Sequence, residues 1–172
     1  NRCAALFRSH PEIEGILVTL PNFGDERAVA DSIRLSGLQV PVLVHAWPDS
    51  PSLMDVENRR DSFCGKISIC HNLRQYGIPF STTAHHTLSP DTEEFSGEIA
   101  RFLSICRVVR ILRNCKIGAL GARPAAFKTV RYSERILEQA GISVDTLDLS
   151  DAMQAVRRLG DRDPSVEEAR DR

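Results

Sequence analysis

The stretch EGILVTLPNFGDERAVADSIRLSGLQVPVLVHAW (residues 14–47) decides the fold class of this sequence. It opens with a short apolar run, residues 14–20, and closes with another, residues 40–47. Neither run alternates apolar with polar residues, which is typical of strands in a sheet that is covered on both faces. Between the runs, three apolar residues near helical spacing are followed by a glycine that ends the helix: Val29, Ile33, Leu35 and Gly37. The stretch therefore predicts two parallel strands joined by a helical crossover.

The same alternation continues along the chain. CGKISICHNLRQYG (64–77) predicts a helix, and further strands are predicted at residues 78–85, 116–121 and 142–149. The apolar stripe of this helix is predicted at Ile67, Cys70, Leu73 and Tyr76. The fold class is thus an α/β doubly wound parallel sheet, Rossmann or flavodoxin-like, with the start of a second α/β unit. We expect the first three strands to be neighbours and the last two to form a separate pair.

A long helix separates the two groups of strands. It is predicted from Ser89, as the N-cap, to Asn114. Its apolar residues fall on two sides of the helix: Phe95, Ile99, Phe102 and Cys106 on one, and Ile105, Val108, Ile111 and Leu112 on the other. A helix that is apolar on two sides is expected to be buried on both. The predicted organisation is a first domain over residues 1–114 that is incomplete at its N-terminus, the start of a second over 115–160, and a charged tail over 161–172.

The composition argues against some classes of binding partner. The formal net charge is −1, and no apolar run approaches the roughly 20 residues that span a bilayer. Nucleic acid and membranes are therefore not expected as partners. The five cysteines form no Cys-x-x-Cys pair, so reduced thiols in a cytoplasmic protein are expected.

The loops after the strands are where a parallel sheet binds ligands. HAWPDS (45–50) places an aromatic ring, Trp47, beside His45 and Asp49, a combination that suits a sugar. GARPAAF (121–127) contains two further candidates, because Arg123 has a forked donor and Phe127 a ring that can stack on a sugar face. The competing interpretation places Trp47 over the sheet edge, Arg123 in solvent and Phe127 in the core.

A cysteine nucleophile is a second possibility. Cys64 begins a predicted helix, and a Cys-dependent hydrolase would need His45, His85 or His86 as its base. His85 and His86 are adjacent, so on a strand they face opposite ways and make a poor metal-binding pair. No metal site is predicted in this chain.

Two strings, RRDSFCGKISICHNLRQYGIPF (59–80) and GARPAAFKTVRYSERILEQAGISVDTLDLS (121–150), resemble the L-fucose isomerase and L-arabinose isomerase superfamily. The likeness is nearest to its fucose-isomerase-like branch and runs from about residue 16 to residue 151. The resemblance implies a cytoplasmic, oligomeric sugar isomerase that interconverts an aldose and a ketose with a divalent metal, usually Mn²⁺.

In that superfamily the metal ligands come from regions downstream of anything in this chain, and first-domain residues reach the active site of a neighbouring subunit. The resemblance therefore implies that this chain is a fragment, inactive alone, that contributes cleft and subunit-interface residues. The residues it favours for contact with the monosaccharide are Trp47, Ser62, Phe63, Cys64, Arg123 and Phe127. A metal-independent sugar-binding or sensory module is the alternative, and saturable sugar binding without metal would identify it.

Overall fold

The computed structural model describes residues 2–159 and 163–171. These residues divide into two compact units at residues 110 and 111. The first unit contains helix α1 (Arg2–Arg8), strand β1 (Ile16–Leu20), helix α2 (Glu26–Ser36), strand β2 (Val42–Ala46), helix α3 (Ser62–Gln75), strand β3 (Ser81–Thr82) and most of helix α4 (Glu93–Leu112). The alternation of strands and helices is the one that the sequence predicts, and the α/β fold class is confirmed.

Strand β2 is the centre of a three-stranded parallel sheet in the order β1-β2-β3. Five residue pairs join β1 to β2, from Ile16 opposite Val42 to Leu20 opposite Ala46. Only two pairs join β2 to β3, because β3 is two residues long and not the eight of the predicted strand. After Thr82, the His85 and His86 carbonyl groups accept hydrogen bonds from the side chains of Thr83 and Lys66.

The sheet is covered on both faces, as the apolar runs predict. Val42, Val44 and Ala46 of β2 lie in one core cluster with β1, α2 and α3. The alternate residue Leu43 packs with Phe102 and Cys106 of α4 on the opposite face. Every residue of β2 is buried, since a central strand flanked by helices has no solvent side.

Helix α2 ends at Gly37, as the sequence predicts, and begins after Asp25, which the sequence analysis did not single out. The Asp25 side chain accepts a hydrogen bond from the Ala28 backbone N–H at 3.0 Å and caps the first turn. Gly37 has a left-handed backbone with φ of 72°, a conformation that favours glycine at a helix end.

The predicted stripe of α3 is correct at Leu73 and at the partly buried Cys70 and wrong at Ile67 and Tyr76. The buried residues of this helix are Ser62, Gly65, Lys66, Ile69 and Leu73, whereas Ile67 is 55% exposed and Tyr76 also faces solvent. The predicted residues recur every third position, which turns steadily around a helix of 3.6 residues per turn. The observed spacing alternates three and four residues and so stays on one face.

Helix α4 differs from its prediction at its start and in its burial. Its first-turn cap is Thr92 and not Ser89, because the Thr92 hydroxyl accepts from the Phe95 backbone N–H at 3.2 Å. Of its residues within the described chain, only Phe102 and Cys106 are buried. The second apolar side is exposed at Ile105, Val108, Ile111 and Leu112, so the prediction of burial on two sides is wrong for the part of the chain that the structure describes.

The second unit is described by itself. It contains strand β4 (Lys116–Leu120), a 3₁₀ turn (Lys128–Val130), helix α5 (Glu134–Gln139), strand β5 (Ser143–Leu147), helix α6 (Leu149–Arg158) and helix α7 (Pro164–Arg170). Strands β4 and β5 pair in parallel and form the predicted separate sheet. Helix α7 lies in the predicted charged tail, of which positions 161, 162 and 172 are outside the described residues. The predicted domain limits stay a prediction.

Among the helices at residues 2–159 and 163–171, none has the length and apolar character needed to cross a bilayer.

Candidate functional site

A cavity of about 390 Å³ opens at the carboxyl ends of β1 and β2. Its volume falls within the range of roughly 300–1,000 Å³ that small-molecule sites occupy. The loop after β1 and the long loop between β2 and α3 supply its lining: Pro21, Asn22, Ser50, Leu53, Asn58, Arg59 and Arg60. Its place at this edge of a parallel sheet is the one that the sequence predicts for a ligand.

One wall of the cavity is held by Arg60. Its guanidinium lies over the Trp47 ring, 5.1 Å from the centroid, and donates to the Pro21 carbonyl at 3.1 Å. The backbone N–H groups of Arg60 and Asp61 both donate to Asp49 Oδ1, at 2.7 and 3.1 Å. Two of the candidates in HAWPDS thus have separate roles: the Trp47 ring supports the Arg60 guanidinium, and Asp49 fixes the loop that carries Arg60.

The Arg59 side chain makes fewer contacts than that of Arg60. Its guanidinium lies 3.7 Å from Asp61 Oδ2, which is too long for a hydrogen bond, and the side chain is partly exposed. Its forked donors therefore remain suited to hydroxyl or anionic oxygens of a ligand in the cavity. Sequence reasoning missed both arginines as site residues, although they immediately precede the predicted helix start.

The three candidates at the start of α3 point in different directions. Ser62 is buried, and its hydroxyl donates to the Trp47 carbonyl, which joins the end of β2 to α3. Phe63 and Cys64 are exposed. The Phe63 ring lies 5.1 Å, centroid to centroid, from the ring of His86. Contact of these residues with a sugar stays a prediction.

His45 is an internal structural group. Its Nε2–H donates to the Leu88 carbonyl at 2.7 Å, because a carbonyl can only accept. Its Nδ1 then accepts from the Thr19 hydroxyl at 2.9 Å, and the ring packs 4.6 Å from that of Phe95. With both nitrogens occupied and the side chain buried, His45 is not placed to activate Cys64 as a nucleophile.

The charge state of His45 makes the stability of the fold depend on pH. Burial lowers the pKa of His45 below its ordinary value, so the folded protein holds the neutral ring. The unfolded chain binds a proton first as pH falls below about 6.5. The contribution of His45 to stability is therefore complete above that pH and is lost as pH falls towards the lower, folded pKa.

We expect the free energy of unfolding to fall between pH 6.5 and pH 5, with at most about 1.4 kcal/mol per pH unit due to His45. His45→Gln retains a donor for Leu88 but does not titrate, so its slope should be shallower. Urea unfolding at a series of pH values measures both slopes. The matched control is His71→Gln, at an exposed position of α3. Equal slopes in all three proteins would contradict the assignment.

Lys66 is a further buried polar group at this edge and was not predicted. It is 3% exposed, and its Nζ donates to the Thr83 hydroxyl at 3.2 Å and to the His86 carbonyl at 2.9 Å. Burial lowers the pKa of Lys66. The signal in the sequence is its position: Lys66 follows Ser62 by four residues and therefore shares its helix face.

The candidates of the second unit lie in the loop after β4. Arg123 forms an ion pair with Glu134 at 2.9 Å, and its guanidinium lies 4.2 Å from the centroid of the Tyr132 ring. Phe127 is exposed, so the competing interpretation that placed it in the core is wrong. Contact of Arg123 and Phe127 with a sugar stays a prediction.

The described residues do not fit a resident metal. Across residues 2–159 and 163–171, no three His, Cys, Asp or Glu side chains come together in a group that could hold a metal ion. The loop histidine nearest to a carboxylate, His85, lies 2.9 Å from Glu94 alone. Mn²⁺ as a cofactor therefore stays a prediction.

Comparison with known proteins adds the family. A search of curated proteins finds no match to the chain. The family described as "Fucose/sulfoquinovose isomerase, N-terminal domain" matches residues 1–113, which include the three-stranded sheet, the cavity and almost all of α4. This match covers more than half of the 172 residues and agrees with the resemblance carried by the string at residues 59–80. The chain therefore belongs to the family of fucose/sulfoquinovose isomerase N-terminal domains.

Proposed function

We propose that the protein interconverts an aldose and a ketose and that this chain supplies residues that bind the sugar. The single observation that carries the proposal is the family match over residues 1–113. The cavity at the carboxyl ends of β1 and β2 supports it, because its volume suits a monosaccharide and its mainly apolar lining includes the donors Asn58 and Arg59.

The chain's part in the proposed reaction is binding and orientation. Moving hydrogen between C1 and C2 of a sugar needs an electrophile at the two oxygens and a positioned acid and base. Hydrogen-bond donors at the rim of a cleft hold the sugar in one orientation relative to those groups. Arg59 and Asn58 are the lining residues whose side chains have donors for sugar hydroxyls.

We further propose that the divalent metal is Mn²⁺, that its ligands lie outside the described residues, and that the protein is a cytoplasmic oligomer. Within that proposal the exposed side of α4, with Ile105, Val108 and Leu112, suits a subunit interface because it is apolar. The Trp47, Phe63, Cys64, Arg123 and Phe127 side chains are the proposed sugar contacts, and Ser62 holds Trp47 in place.

Arg59→Gln tests the proposal in the full-length natural protein. We expect KM for L-fucose to rise about tenfold, since a charge-assisted hydrogen bond to the sugar is replaced by a weaker one. Ketose formation is followed with Mn²⁺ and with a chelator, which should abolish turnover. Arg74→Gln is the matched control, because Arg74 is an exposed arginine in the last turn of α3.

The possible results separate the proposal from its alternative. Metal-dependent turnover with a raised KM for Arg59→Gln alone supports the isomerase. Saturable sugar binding by a protein that shows no turnover even when Mn²⁺ is supplied identifies a binding or sensory module instead. Equal KM values for the two variants would remove Arg59 from the site.

A further inference from the structure

The loop over residues 83–88 is held by side chains that reach its backbone. Thr83 Oγ1 donates to the His85 carbonyl at 2.8 Å, Lys66 Nζ to the His86 carbonyl at 2.9 Å, and His45 Nε2 to the Leu88 carbonyl at 2.7 Å. The donors Thr83, Lys66 and His45 are all buried. A loop fixed at three carbonyl groups by buried donors has one conformation and presents its side chains in fixed positions.

The fixed position of His86 brings two exposed rings together. The rings of Phe63 and His86 lie 5.1 Å apart, centroid to centroid, with an angle of 32° between their planes. Phe63 is 39% exposed, and His86 also faces solvent. Aromatic faces of this kind pack against the apolar C–H face of a sugar, and the imidazole adds polar atoms beside it. Both residues lie at the carboxyl edge of the sheet, where the cavity also opens.

Lys66 is buried where its ammonium group can hold the loop over residues 83–88. A buried ammonium group costs several kcal/mol in lost hydration, and an apolar side chain of similar length would avoid that cost. No carboxylate of the described residues forms an ion pair with Lys66 Nζ within 4 Å, and burial outweighs the effect of the nearby Cys70 and Glu98 on the pKa of Lys66. Its ammonium group donates to the Thr83 hydroxyl and to the His86 carbonyl. Thr83 in turn donates to the His85 carbonyl of the same loop.

We propose that Phe63 and His86 form a stacking platform for a monosaccharide and that Lys66 is its positioning residue. This inference rests on the proposed function for its ligand class and extends it to His86 and Lys66, which sequence reasoning left as a surface histidine and an unassigned helix residue. Lys66 does not touch the sugar; it holds the backbone from which the His86 ring projects.

The test measures binding separately from turnover. L-fucose, L-arabinose and D-glucose are titrated calorimetrically into the full-length natural protein in the presence of a chelator, so that no metal-dependent conversion occurs. His86→Ala should weaken binding of the preferred sugar about 2- to 12-fold, the range expected for loss of one aromatic contact. His86→Phe should restore binding, and His71→Ala, at an exposed position of α3, should leave it unchanged.

A double-mutant cycle tests the role of Lys66. Lys66→Met alone should weaken binding by a factor similar to that of His86→Ala. In the His86→Ala background, Lys66→Met should cause no further loss, because the ring that Lys66 positions is already absent. A merely structural effect would instead add to that of His86→Ala and would reduce binding in both backgrounds.

The outcomes for the platform and for the isomerase differ. Wild-type affinity in a folded His86→Ala variant overturns the platform, and so does a wild-type protein that binds none of the three sugars. Independent effects of the two substitutions overturn the positioning role of Lys66. Binding that depends on His86 in a protein without isomerase turnover overturns the isomerase and leaves the platform in place.

Discussion

Leu73→Ala should lower the free energy of unfolding by about 2–5 kcal/mol, the largest effect expected of any substitution considered. Leu73 is fully buried on α3 and lies in the core cluster with Ile69 and the strands β1 and β2. Truncation removes buried methyl groups and leaves a cavity that a sheet held on both faces cannot close. Urea unfolding followed by the fluorescence of Trp47, the only tryptophan of the chain, measures the change.

Ile67→Ala is the matched control for Leu73→Ala. It removes a comparable side chain from the same helix, but Ile67 is on the exposed face. Its cost should be about 0.5 kcal/mol or less, as for most surface substitutions. Similar losses in the two variants would mean that Ile67 is buried, as the predicted stripe has it, and not exposed.

Gly65→Ala should destabilise the fold by up to about 2 kcal/mol, although alanine is the better helix former. A Cβ at Gly65 would overlap the carbonyl group of Phe23 and lie 2.9 Å from the Phe23 Cα. These are backbone atoms of the loop after β1, so they can move only if the helix and the loop separate. Overpacking of this kind costs typically 1–3 kcal/mol and sometimes more, against about 1 kcal/mol gained in helix propensity.

Gly97→Ala provides a control of opposite sign. Gly97 is inside α4, and no atom lies within 4 Å of an added Cβ. The substitution should therefore stabilise the protein by roughly 0.5–1 kcal/mol through helix propensity alone. Thermal unfolding of the two variants beside the wild type measures both effects. A stabilised Gly65→Ala variant would show that α3 does not approach the Phe23 backbone closely.

The order of strands and helices could be predicted from sequence because it depends on local patterns. Continuous apolar runs gave both parallel sheets, and Gly37 marked the end of α2. Which face of each helix is buried was harder to predict. On α3 the buried face includes Gly65 and Lys66, neither of which is an apolar signal, and their burial depends on the Phe23 backbone and on the loop after β3.

The candidate site, too, could be predicted only in part. The carboxyl edge of the sheet was predicted from topology, and Trp47 does lie beside the cavity wall through Arg60. The contact between Phe63 and His86 was not predictable, because it joins residues that are 23 positions apart across a loop whose conformation depends on buried donors. Local sequence records neither the partners of Lys66 nor the side on which α4 is buried.

The central position of β2 also has a consequence for the order of folding. Its two pairings join residues 26 positions apart with β1, as in Ile16 and Val42, and 38 positions apart with β3, as in Leu43 and Ser81. The entropy of closing the longer loop exceeds that of the shorter by only about 0.3 kcal/mol, so loop length hardly separates the two events. The number of paired residues does, since β1 contributes five and β3 two. We therefore expect strands β1 and β2 with α2 to form the sheet first, and the segment from β3 to His86 to dock onto that edge afterwards. Hydrogen exchange would then show the amides of this segment opening more readily than those of β1 and β2.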